Sequence, residues 1–324
     1  MTTIFIPSGK FIEPNDPIIC RAGMSGHFTL SIAKVGPDGQ PIEATRRVVA
    51  SFDNIITNAG LDRVGQAGDW MSACQVGTGN ATPQATDTGL QVFRAGSTTI
   101  NASVGGAQGS APFFGWRRTT YRFAAGVATG NLSEVGVGWA STGSTLFSRA
   151  LILDAGLLPT TITVLADETL DVTYEVRNHP PAVDTTGNLT ITGVGTMTFT
   201  TRAASVTTAS EWDLASGRRG GIGSSPSSHN ALTGNIGAVT GAPSGTPGMA
   251  TTAVNLAYSN GSFQRLSTLT FGLNEGNIGG IRSLVVRYGD NSGFGRFQTE
   301  FGTLINKTAA QTLVFNLAQV WGRQ

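Results

Sequence analysis

The sequence predicts an all-β protein with two antiparallel β-sandwich-like domains and one short helix. Short segments that alternate apolar and polar residues recur along the chain, and turns rich in Gly, Asn and Thr separate them. In the clearest segment, residues 170–176, apolar side chains alternate with Asp171, Thr173 and Glu175. A period of two residues is typical of half-buried strands, and many short strands between turns are typical of sandwiches and barrels. The chain has 324 residues, more than one hydrophobic core usually serves, which favours two domains.

Segments rich in proline place the predicted domain boundaries. Residues 1–25 are interrupted by Pro and Gly and predict an extended N-terminal arm without a core of its own. Pro180 and Pro181 mark a linker, because proline lacks the N–H group that a central strand donates to its neighbour. We therefore expect one β-sandwich domain at residues 26–183 and a second at residues 187–324.

Two segments depart from the strand pattern. Residues 217–250 are rich in Gly, Ser, Pro and Thr and predict a long loop of the second domain. Residues 54–64 predict the one short helix, which Gly60 and Gly65 limit in length. Its apolar residues recur at roughly helical spacing and are Ile55, Ile56, Ala59, Leu61 and Val64.

Matching segments in the two predicted domains indicate a tandem duplication. The matches occur in the same order, at offsets of 143 to 147 residues, as loop insertions would produce. The matched pairs are residues 76–78 with 222–224, 130–132 with 276–278, 147–149 with 294–296, and 169–170 with 312–313. Segments rich in Gly and Thr also align by chance, so unrelated halves remain the alternative at this point.

The low charge content indicates a protein that works within an assembly. Charged residues make up 13% of the chain, against roughly 25% in an ordinary soluble domain. A free monomer usually keeps itself soluble with a charged surface of mixed sign, whereas a chain without one is covered by neighbours or uses Thr, Ser and Asn instead. The net charge is +1 and there is no basic cluster, so nucleic-acid binding is not expected. A neutral secreted β-protein is the alternative that composition leaves open.

No motif for catalysis or for binding a cofactor or metal is found in the sequence. The three histidines, His27, His179 and His229, share no metal-ligand spacing and lie in different segments. There is no nucleophile elbow, no phosphate-binding loop that ends in Gly-Lys-Ser/Thr, and no His-Glu-x-x-His zinc motif. We therefore expect a protein that is not an enzyme and that carries no cofactor and no metal.

An acidic cluster is the one feature that resembles a glycosidase site. Asp167, Glu168 and Asp171 lie close together in the sequence, and cleavage of a glycosidic bond needs two carboxylates that face one sugar. Asp171 and Glu175, however, alternate with apolar residues on a predicted strand. We interpret them as the solvated face of that strand.

The cysteines and the N-terminus give no sign of export. Cys20 and Cys74 are too few for a disulfide framework and are expected as small buried apolar groups, although a single bridge between them stays open. The N-terminus has neither a basic region nor a long apolar region, so we expect no secretory signal. No uninterrupted apolar run approaches the roughly 18 residues of a membrane span, so we expect no membrane insertion.

Apolar residues at both ends of the chain are the predicted assembly contacts. A segment without a core becomes ordered only when it lies on something else, so we expect the arm to cross to a neighbouring protomer of a homo-oligomer. The last residues alternate apolar and polar side chains, and this final strand belongs either to the chain's own sheet or to a neighbour's. The candidate contact residues are Ile4, Phe5, Ile6, Phe11, Ile12 and Trp321.

Four phrases of the first predicted domain resemble structural proteins of tailed bacteriophages. The phrases are F-D-N-I-I-T-N-A-G-L-D-R-V at residues 52–64, C-Q-V-G-T-G-N-A-T-P at 74–83, G-N-L-S-E-V-G at 130–136 and L-F-S-R-A at 146–150. In tail, tail-fibre and baseplate proteins of this kind, a phrase like N-L-I-T-N-A-G-L precedes a V-G-T-G turn, and an L-F-S-R strand follows. The resemblance covers about residues 45–178. The second half departs from it, since Gly295 stands in the place of the serine and the helix phrase has no counterpart.

The resemblance implies a non-enzymatic structural component of a tailed-phage virion that is assembled in the host cytoplasm. The implied role is that of a tail-associated adaptor, fibre or baseplate protein. The implied partners are other virion structural proteins, further copies of the chain and, as an additional candidate, a host surface receptor. A capsid decoration protein is the first alternative, and a polysaccharide-cleaving tail protein is the second.

Overall fold

The computed structural model of the chain describes residues 5–7, 17–66, 68–191, 193–214, 228–250, 252–289 and 293–324. Within these ranges the chain forms 22 β-strands, two short α-helices and one turn of 3-10 helix. The predicted all-β fold with a short helix is therefore confirmed. None of the helices in the described ranges combines the length and the apolar content that crossing a bilayer requires.

The elements fall into two groups that follow each other along the chain. The first half contains β1 (Phe5–Pro7), β2 (Ile18–Lys34), a 3-10 turn (Glu43–Thr45), β3 (Arg47–Asp53), β4 (Ile55–Ile56), α1 (Asn58–Gly65), β5 (Ala73–Gly77), β6 (Phe93–Ser97), β7 (Ile100–Ala107), β8 (Gly115–Phe123), β9 (Gly130–Leu132), β10 (Glu134–Gly138), β11 (Leu146–Leu151), β12 (Ile162–Val164) and β13 (Glu168–His179). The second half contains β14 (Thr185–Ile191), β15 (Gly195–Ala203), α2 (Ala209–Trp212), β16 (Ser228–Leu232), β17 (Pro247–Met249), β18 (Thr252–Asn255), β19 (Gln264–Phe271), β20 (Ile281–Tyr288), β21 (Gly295–Ile305) and β22 (Gln311–Arg323).

Three large sheets organise these strands. A nine-stranded sheet has the order β18-β19-β22-β2-β13-β8-β7, with β1 added beside β22 and β3 beside β2. A five-stranded sheet, β4-β11-β10-β5-β6, belongs to the first half, and a six-stranded sheet, β14-β15-β21-β20-β16-β17, belongs to the second. Phe147 of the five-stranded sheet lies 6.3 Å from Tyr174 of β13, and Phe301 of the six-stranded sheet stacks on Phe315 of β22 at 5.2 Å. Each half is therefore a sandwich whose second layer is part of the nine-stranded sheet.

The two halves repeat one layout of strands. The order β4-β11-β10-β5-β6 in the first half corresponds to β15-β21-β20-β16-β17 in the second, and β13-β8-β7 corresponds to β22-β19-β18. The corresponding strands also occur in the same order along the chain, and a short helix follows β4 in one half and β15 in the other. This shared layout supports the predicted tandem duplication.

Strand register refines the residue matches. Leu170 of β13 lies opposite Phe123, and Leu313 of β22 lies opposite Phe271, so the predicted match of Leu170 with Leu313 agrees with the pairing. The hairpins differ from the prediction, because Leu146 opposite Gly138 corresponds in position to Gly295 opposite Tyr288. The predicted match of residues 147–149 with 294–296 is therefore displaced by two or three residues. The predicted match of residues 76–78 with 222–224 is not tested, because residues 222–224 lie outside the described residues.

The sheet continues across the predicted domain boundary. Residues 18–24 of β2 pair in parallel with residues 317–323 of β22, although these segments are at opposite ends of the chain. Residues 23–34 of the same strand pair with β13 of the first half. The long strand β2 therefore belongs to both sandwiches and joins them.

The core also continues across the boundary, so residues 26–183 and 187–324 do not form two domains with separate cores. One cluster of buried apolar side chains includes residues of both halves. Trp70 of the first half lies 6.2 Å, between ring centroids, from Phe294 of the second. The two predicted sandwiches are present, but they are fused through their common layer. Pairing between the chain ends leaves no local pattern, which is why the sequence suggested a clean division at the linker.

The predicted arm at residues 1–25 includes part of the central sheet. Ile18 and Cys20 lie on the inner face of β2 and each is only 1% exposed. Gly23 within the predicted arm and Gly26 just after it lie at close contacts, since a Cβ atom would be 2.3 Å from Gln324 Oε1 at Gly23 and 2.1 Å from the hydroxyl oxygen of Tyr174 at Gly26. From its first residue, β2 is a buried strand and not a free arm.

Two local predictions also need correction. The helix begins after Thr57, whose Oγ1 accepts a hydrogen bond from the N–H of Gly60 at 2.8 Å, as an N-cap residue does. Ile55 and Ile56, which the sequence placed in the helix, instead form β4 and pair with β11. The predicted loop at residues 217–250 contains β16 and β17 in its described part.

Candidate functional site

The arm residues predicted as assembly contacts are only partly described. Phe5 and Ile6 belong to β1, which pairs antiparallel with residues 311–313 of β22 in the same chain. This pairing is within the chain, and the crossing of the arm to a neighbouring protomer stays a prediction. The arm contacts that lie outside the described residues are Ile4, Phe11 and Ile12.

In the second half, β1 takes the place that the end of β2 has in the first. Ile32 of β2 lies opposite Leu170 of β13, and Phe5 of β1 lies opposite Leu313 of β22. Leu170 and Leu313 occupy equivalent positions in the repeated layout. The N-terminal segment thus supplies a strand beside β22 that the second half does not supply itself.

Trp321 is a core residue and not an exposed contact. It is 3% exposed, its ring stacks with Tyr258 at 5.8 Å, and its Nε1–H donates a hydrogen bond to the carbonyl oxygen of Leu61 at 2.9 Å. The Tyr258 hydroxyl in turn donates to Asp62 Oδ1 at 2.7 Å. The final strand therefore belongs to the chain's own sheet and fastens the second half to α1.

Three of the four phrases that resemble phage proteins meet at one buried ion pair. Arg149 Nη2 lies 2.8 Å from Glu134 Oε2, and their side chains are 3% and 0% exposed. The other carboxylate oxygen of Glu134 accepts hydrogen bonds from the N–H groups of Gly79 and Val92 at 3.0 and 2.8 Å. Arg149 also contacts the carboxylate of Asp87 at 2.6 Å. This network fixes the loop between β5 and β6.

The fourth phrase, residues 52–64, packs against β11, the strand that also carries Arg149. Thr57 Oγ1 donates a hydrogen bond to the carbonyl oxygen of Leu146 at 2.7 Å. A Cβ atom at Gly60 would lie 2.4 Å from the carbonyl oxygen of Phe147, so only glycine allows α1 to approach β11 this closely. The phrases therefore carry residues that hold the fold together.

The acidic residues of β13 are not solvated, contrary to the interpretation from the sequence. The side chains of Asp171 and Glu175 are only 5% and 7% exposed, although they lie on the face that points away from the five-stranded sheet. Arg46 and Arg122 both donate hydrogen bonds to Asp171. Long arginine side chains on neighbouring segments thus cover these carboxylates, which the alternation within one strand does not reveal.

Glu175 lies at the centre of a second cluster. The Nε atoms of Arg118 and Arg177 both donate hydrogen bonds to its carboxylate. Burial raises the pKa of Glu175, but the hydrogen bonds from Arg177 and Arg118 outweigh this effect and hold the pKa below its ordinary value. The guanidinium groups lie over aromatic rings, Arg118 over Trp116 at 4.4 Å and Arg177 over Phe114 at 4.7 Å. A depression of about 360 Å³ here is lined by His27, Thr29, Arg118, Thr173, Glu175 and Arg177.

Sequence reasoning missed this cluster because its members come from three strands that are far apart in the chain. Glu175 lies opposite His27 on one side and opposite Arg118 on the other. One sequence signal was visible in β8, where the outward-facing residues Trp116, Arg118, Thr120 and Arg122 alternate with inward-facing residues. The strand order of the sheet was needed to place them beside Glu175.

The corresponding face of the second half is uncharged, with Thr, Asn and Gln between apolar residues. None of the outward positions of β18, β19 and β22 carries a charged residue. Leu266 on β19 and Val254 on β18 are 36% and 53% exposed on this face. Leu256, whose N–H donates to the carbonyl oxygen of Leu266 at 2.9 Å, extends the same patch. The repeated layout therefore presents two chemically different surfaces.

Equivalent edge strands of the two halves both expose apolar side chains. The nine-stranded sheet ends at β7 and β18, where Val104 and Val254 are 54% and 53% exposed. The equivalent edges of the other two sheets are β6 and β17, where Phe93 and Met249 are 44% and 68% exposed. An edge strand offers backbone N–H and C=O groups that a further strand can pair with.

The cysteines and histidines form no metal centre in the described ranges, where no group of three or more suitable side chains converges. Cys20 and Cys74 are both free and buried, so they are not bridged. Burial raises the pKa of the Cys20 thiol to about 12, and burial also raises the pKa of the Cys74 thiol. Both thiols are therefore protonated and unreactive at neutral pH.

Comparisons of the chain with protein-family models, with curated proteins and with solved structures give no match. Its function is therefore inferred from its own sequence and geometry.

Proposed function

We propose that the chain is a non-enzymatic structural component of a tailed-phage virion, and that it serves as a tail-associated adaptor, fibre or baseplate protein. The proposal draws on the four phrases that resemble such proteins and on the charged fraction of 13%. Its partners are other virion structural proteins and further copies of the chain, with a host surface receptor as an additional partner.

The observation that carries the proposal is that, among the described strands, equivalent edge strands of both halves expose apolar side chains. Val104 on β7 and Val254 on β18 occupy equivalent edges of one sheet and are exposed to nearly the same degree, 54% and 53%. Exposed apolar side chains beside unpaired backbone groups favour contact with another β-surface. A net charge of +1 leaves little repulsion between copies. These properties suit a protein that packs repeatedly against neighbours.

The polysaccharide-cleaving alternative receives less support. Asp171 and Glu175 are each engaged by two arginines, so neither offers the proton-donating carboxyl group that glycoside hydrolysis uses. The residues of the resemblance support the fold, as Glu134 and Arg149 illustrate.

Substitutions at the edges test the assembly part of the proposal. Lysine on an edge strand opposes pairing with a further strand, so V104K and V254K should reduce the sedimentation coefficient of the assembled protein. L157K is the matched control, because Leu157 is 65% exposed but lies outside the edge strands. The assembly part would be contradicted if the wild-type chain sedimented as a monomer by itself and also formed no complex when mixed with other virion proteins.

Imaging of particles tests the location. A label attached after Gln324, which is exposed, should appear at the tail of purified virions. A label on the head would favour the capsid decoration protein, and a chain absent from the particles would contradict the proposal. Incubation of the purified protein with host surface glycan should leave the glycan intact, whereas cleavage would support the enzyme alternative.

A further inference from the structure

The geometry points to a binding site for an acidic saccharide on the outer face of the first half, centred on Arg118 and Arg177. By acidic saccharide we mean a sugar that bears a carboxylate or a phosphate group. This inference rests on the proposed function, because it assigns a ligand to the host-contact role. The contacts of the two arginines carry the argument.

Both arginines are fixed in place before any ligand arrives. Each guanidinium group uses its Nε to hold Glu175, and its flat face lies on an aromatic ring, Trp116 for Arg118 and Phe114 for Arg177. Such a side chain loses little conformational freedom on binding, which favours affinity. The two side chains are nevertheless 50% and 39% exposed, so a ligand can reach them.

The two arginines also have donors to spare. Among the residues that the structure describes, no hydrogen bond of their Nη groups is found, and Glu175 neutralises only one of the two positive charges. The neighbouring cluster differs: Arg46 uses Nε and Nη2 on Glu43 and Nη1 on Asp171. The cluster at Glu175 therefore keeps free N–H groups in the fork that binds carboxylate or phosphate oxygens, and the next carboxylate, Asp53, lies on the far side of His27, which it contacts at 2.7 Å.

The surroundings favour a sugar over a protein surface. All six residues that line the depression of about 360 Å³ are polar or charged, whereas the centre of a protein interface is usually depleted of charge. The hydroxyl groups of Thr29 and Thr173 lie in the row next to Glu175 and contact the hydroxyls of Ser51 and Thr120 at 3.3 and 2.8 Å. A hydroxyl donates one hydrogen bond and accepts two, so both can also bond to sugar hydroxyls. An acidic sugar matches both the charge and the hydroxyl groups of this depression.

The second half supplies an internal comparison. The equivalent outward positions of its strands carry no charge, and exposed Leu266 and Val254 occupy that face. The duplicated layout does not by itself require arginines on this face, so the cluster is a feature of the first half and not of the fold.

The probe for the test is a tetrasaccharide of alternating hexuronate and N-acetylhexosamine units, titrated into the full chain and followed by calorimetry and by NMR shifts. The neutral N-acetylhexosamine tetrasaccharide, acetate, inorganic phosphate and a glutamate-rich peptide are the comparison ligands. We expect the acidic tetrasaccharide to bind most tightly. R118Q and R177Q should each weaken it by about tenfold, since each removes a charge-assisted pair of hydrogen bonds.

Control variants separate recognition from net charge and from misfolding. R21Q removes the same charge from an exposed position of β2 elsewhere on the sheet and should bind like the wild type. R118K keeps the charge but loses the planar fork and should still bind several-fold more weakly. R118Q, R177Q and R118K should remain folded, with a melting temperature lowered by only a few degrees, because both arginines are partly exposed and Glu175 keeps its other arginine.

Several results would overturn the inference. They are absence of binding, binding that R118Q and R177Q leave unchanged, and equal affinity for free acetate or phosphate, for the peptide or for the neutral sugar. A chain found in virions that binds none of the sugars would overturn the inference alone. A chain that binds the acidic sugar but is absent from virions would overturn the proposed function alone.

Discussion

The two halves of the chain follow the same order of strands, yet they use different chemistry at equivalent places. On the outer face of the nine-stranded sheet, the first half carries clustered charges around Glu175, and the second half carries exposed apolar residues such as Leu266. Away from this face, the first half contains a buried ion pair of Glu134 and Arg149 under the loop between β5 and β6, whereas Glu211 of α2 in the second half pairs with partly exposed arginines. The order of the strands therefore determines where each side chain lies, and the identity of the outward-facing residues determines what each face can bind.

The halves also differ in how they complete the nine-stranded sheet. Beside β13, the first half places its own strand β2 along twelve residue pairs. Beside β22, the second half depends on β1 and on residues 18–24 of β2, which come from the other end of the chain. The second half is therefore the part that cannot be complete without the N-terminus.

Deletion of residues 2–25 is the change with the largest expected effect. It removes the part of β2 that pairs with β22, including buried Ile18, Cys20 and Met24. Truncation of one such side chain costs about 2–5 kcal/mol, and a whole domain is stable by only about 5–15 kcal/mol, so the chain should not fold. Circular dichroism and tryptophan fluorescence would detect the loss of the fold.

A shorter deletion is the control for this experiment. Removal of residues 2–16 leaves β2 intact and, among the described residues, takes away the three pairs of β1 with β22, so the chain should still fold with lower stability. A chain without residues 2–25 that keeps the stability and assembly of the wild type would show that the second half does not need the N-terminal strand.

Glu134→Gln should have the next largest effect and should exceed that of Glu211→Gln, which removes a different ion pair in the second half. Glu134 is fully buried, and loss of one partner of a buried ion pair costs about 3 kcal/mol in free energy of unfolding. Glu211→Gln should cost only about 1 kcal/mol, because its partners Arg287 and Arg296 are 17% and 26% exposed and better screened. Urea denaturation of both variants measures the difference, and equal losses would contradict it.

Trp321→Phe tests the link between the final strand and α1. The substitution keeps an aromatic ring beside Tyr258 but removes the hydrogen bond to the carbonyl oxygen of Leu61, which should cost about 1 kcal/mol. Trp139→Phe is the matched control, since Trp139 is half-buried and its ring lies under Arg63. The urea midpoint should fall further in Trp321→Phe than in Trp139→Phe, and a larger fall in Trp139→Phe would argue against the link.

Acid should destabilise the chain through the first half. The pKa of Glu175 is lower in the folded chain than its ordinary value of 4.5, so the folded chain binds fewer protons and loses stability as the pH falls below about 4.5. The groups that face Glu175 are Arg118, Arg177 and His27. Glu175→Gln should flatten the fall in urea midpoint between pH 5 and pH 3, by a small amount because this site is partly exposed. An unchanged pH profile would exclude Glu175 as a source of acid sensitivity.

Some of the fold could be predicted because it rests on local patterns. The alternation at residues 170–176 lies within β13, and the match of Leu170 with Leu313 reflects equivalent positions in two strands. Two-residue periods of this kind result from a sheet that is buried on one face, so they are visible in the sequence.

Other features could not be predicted because they depend on contacts between distant segments. The parallel pairing of β2 with β22 joins residues about 300 positions apart and has no local signature. Arg118 and Glu175 are 57 positions apart, and only the strand order brings them together. The Pro and Gly residues up to Gly26 suggested an extended arm, because a glycine needed for close packing looks the same in the sequence as a glycine in an arm without a core.

The central claim is that the two halves form one unit, and the two cysteines test it directly. Cys20 lies in β2 opposite Gln319 of β22, Cys74 lies in β5 of the five-stranded sheet, and both are buried. In the C74A and C20A variants, the rate of labelling by a thiol reagent at increasing urea gives the free energy of opening at each remaining cysteine. We predict that the two cysteines open with the same free energy and the same urea dependence. Opening of one cysteine at clearly lower urea than the other would mean that the halves unfold independently and would contradict the account.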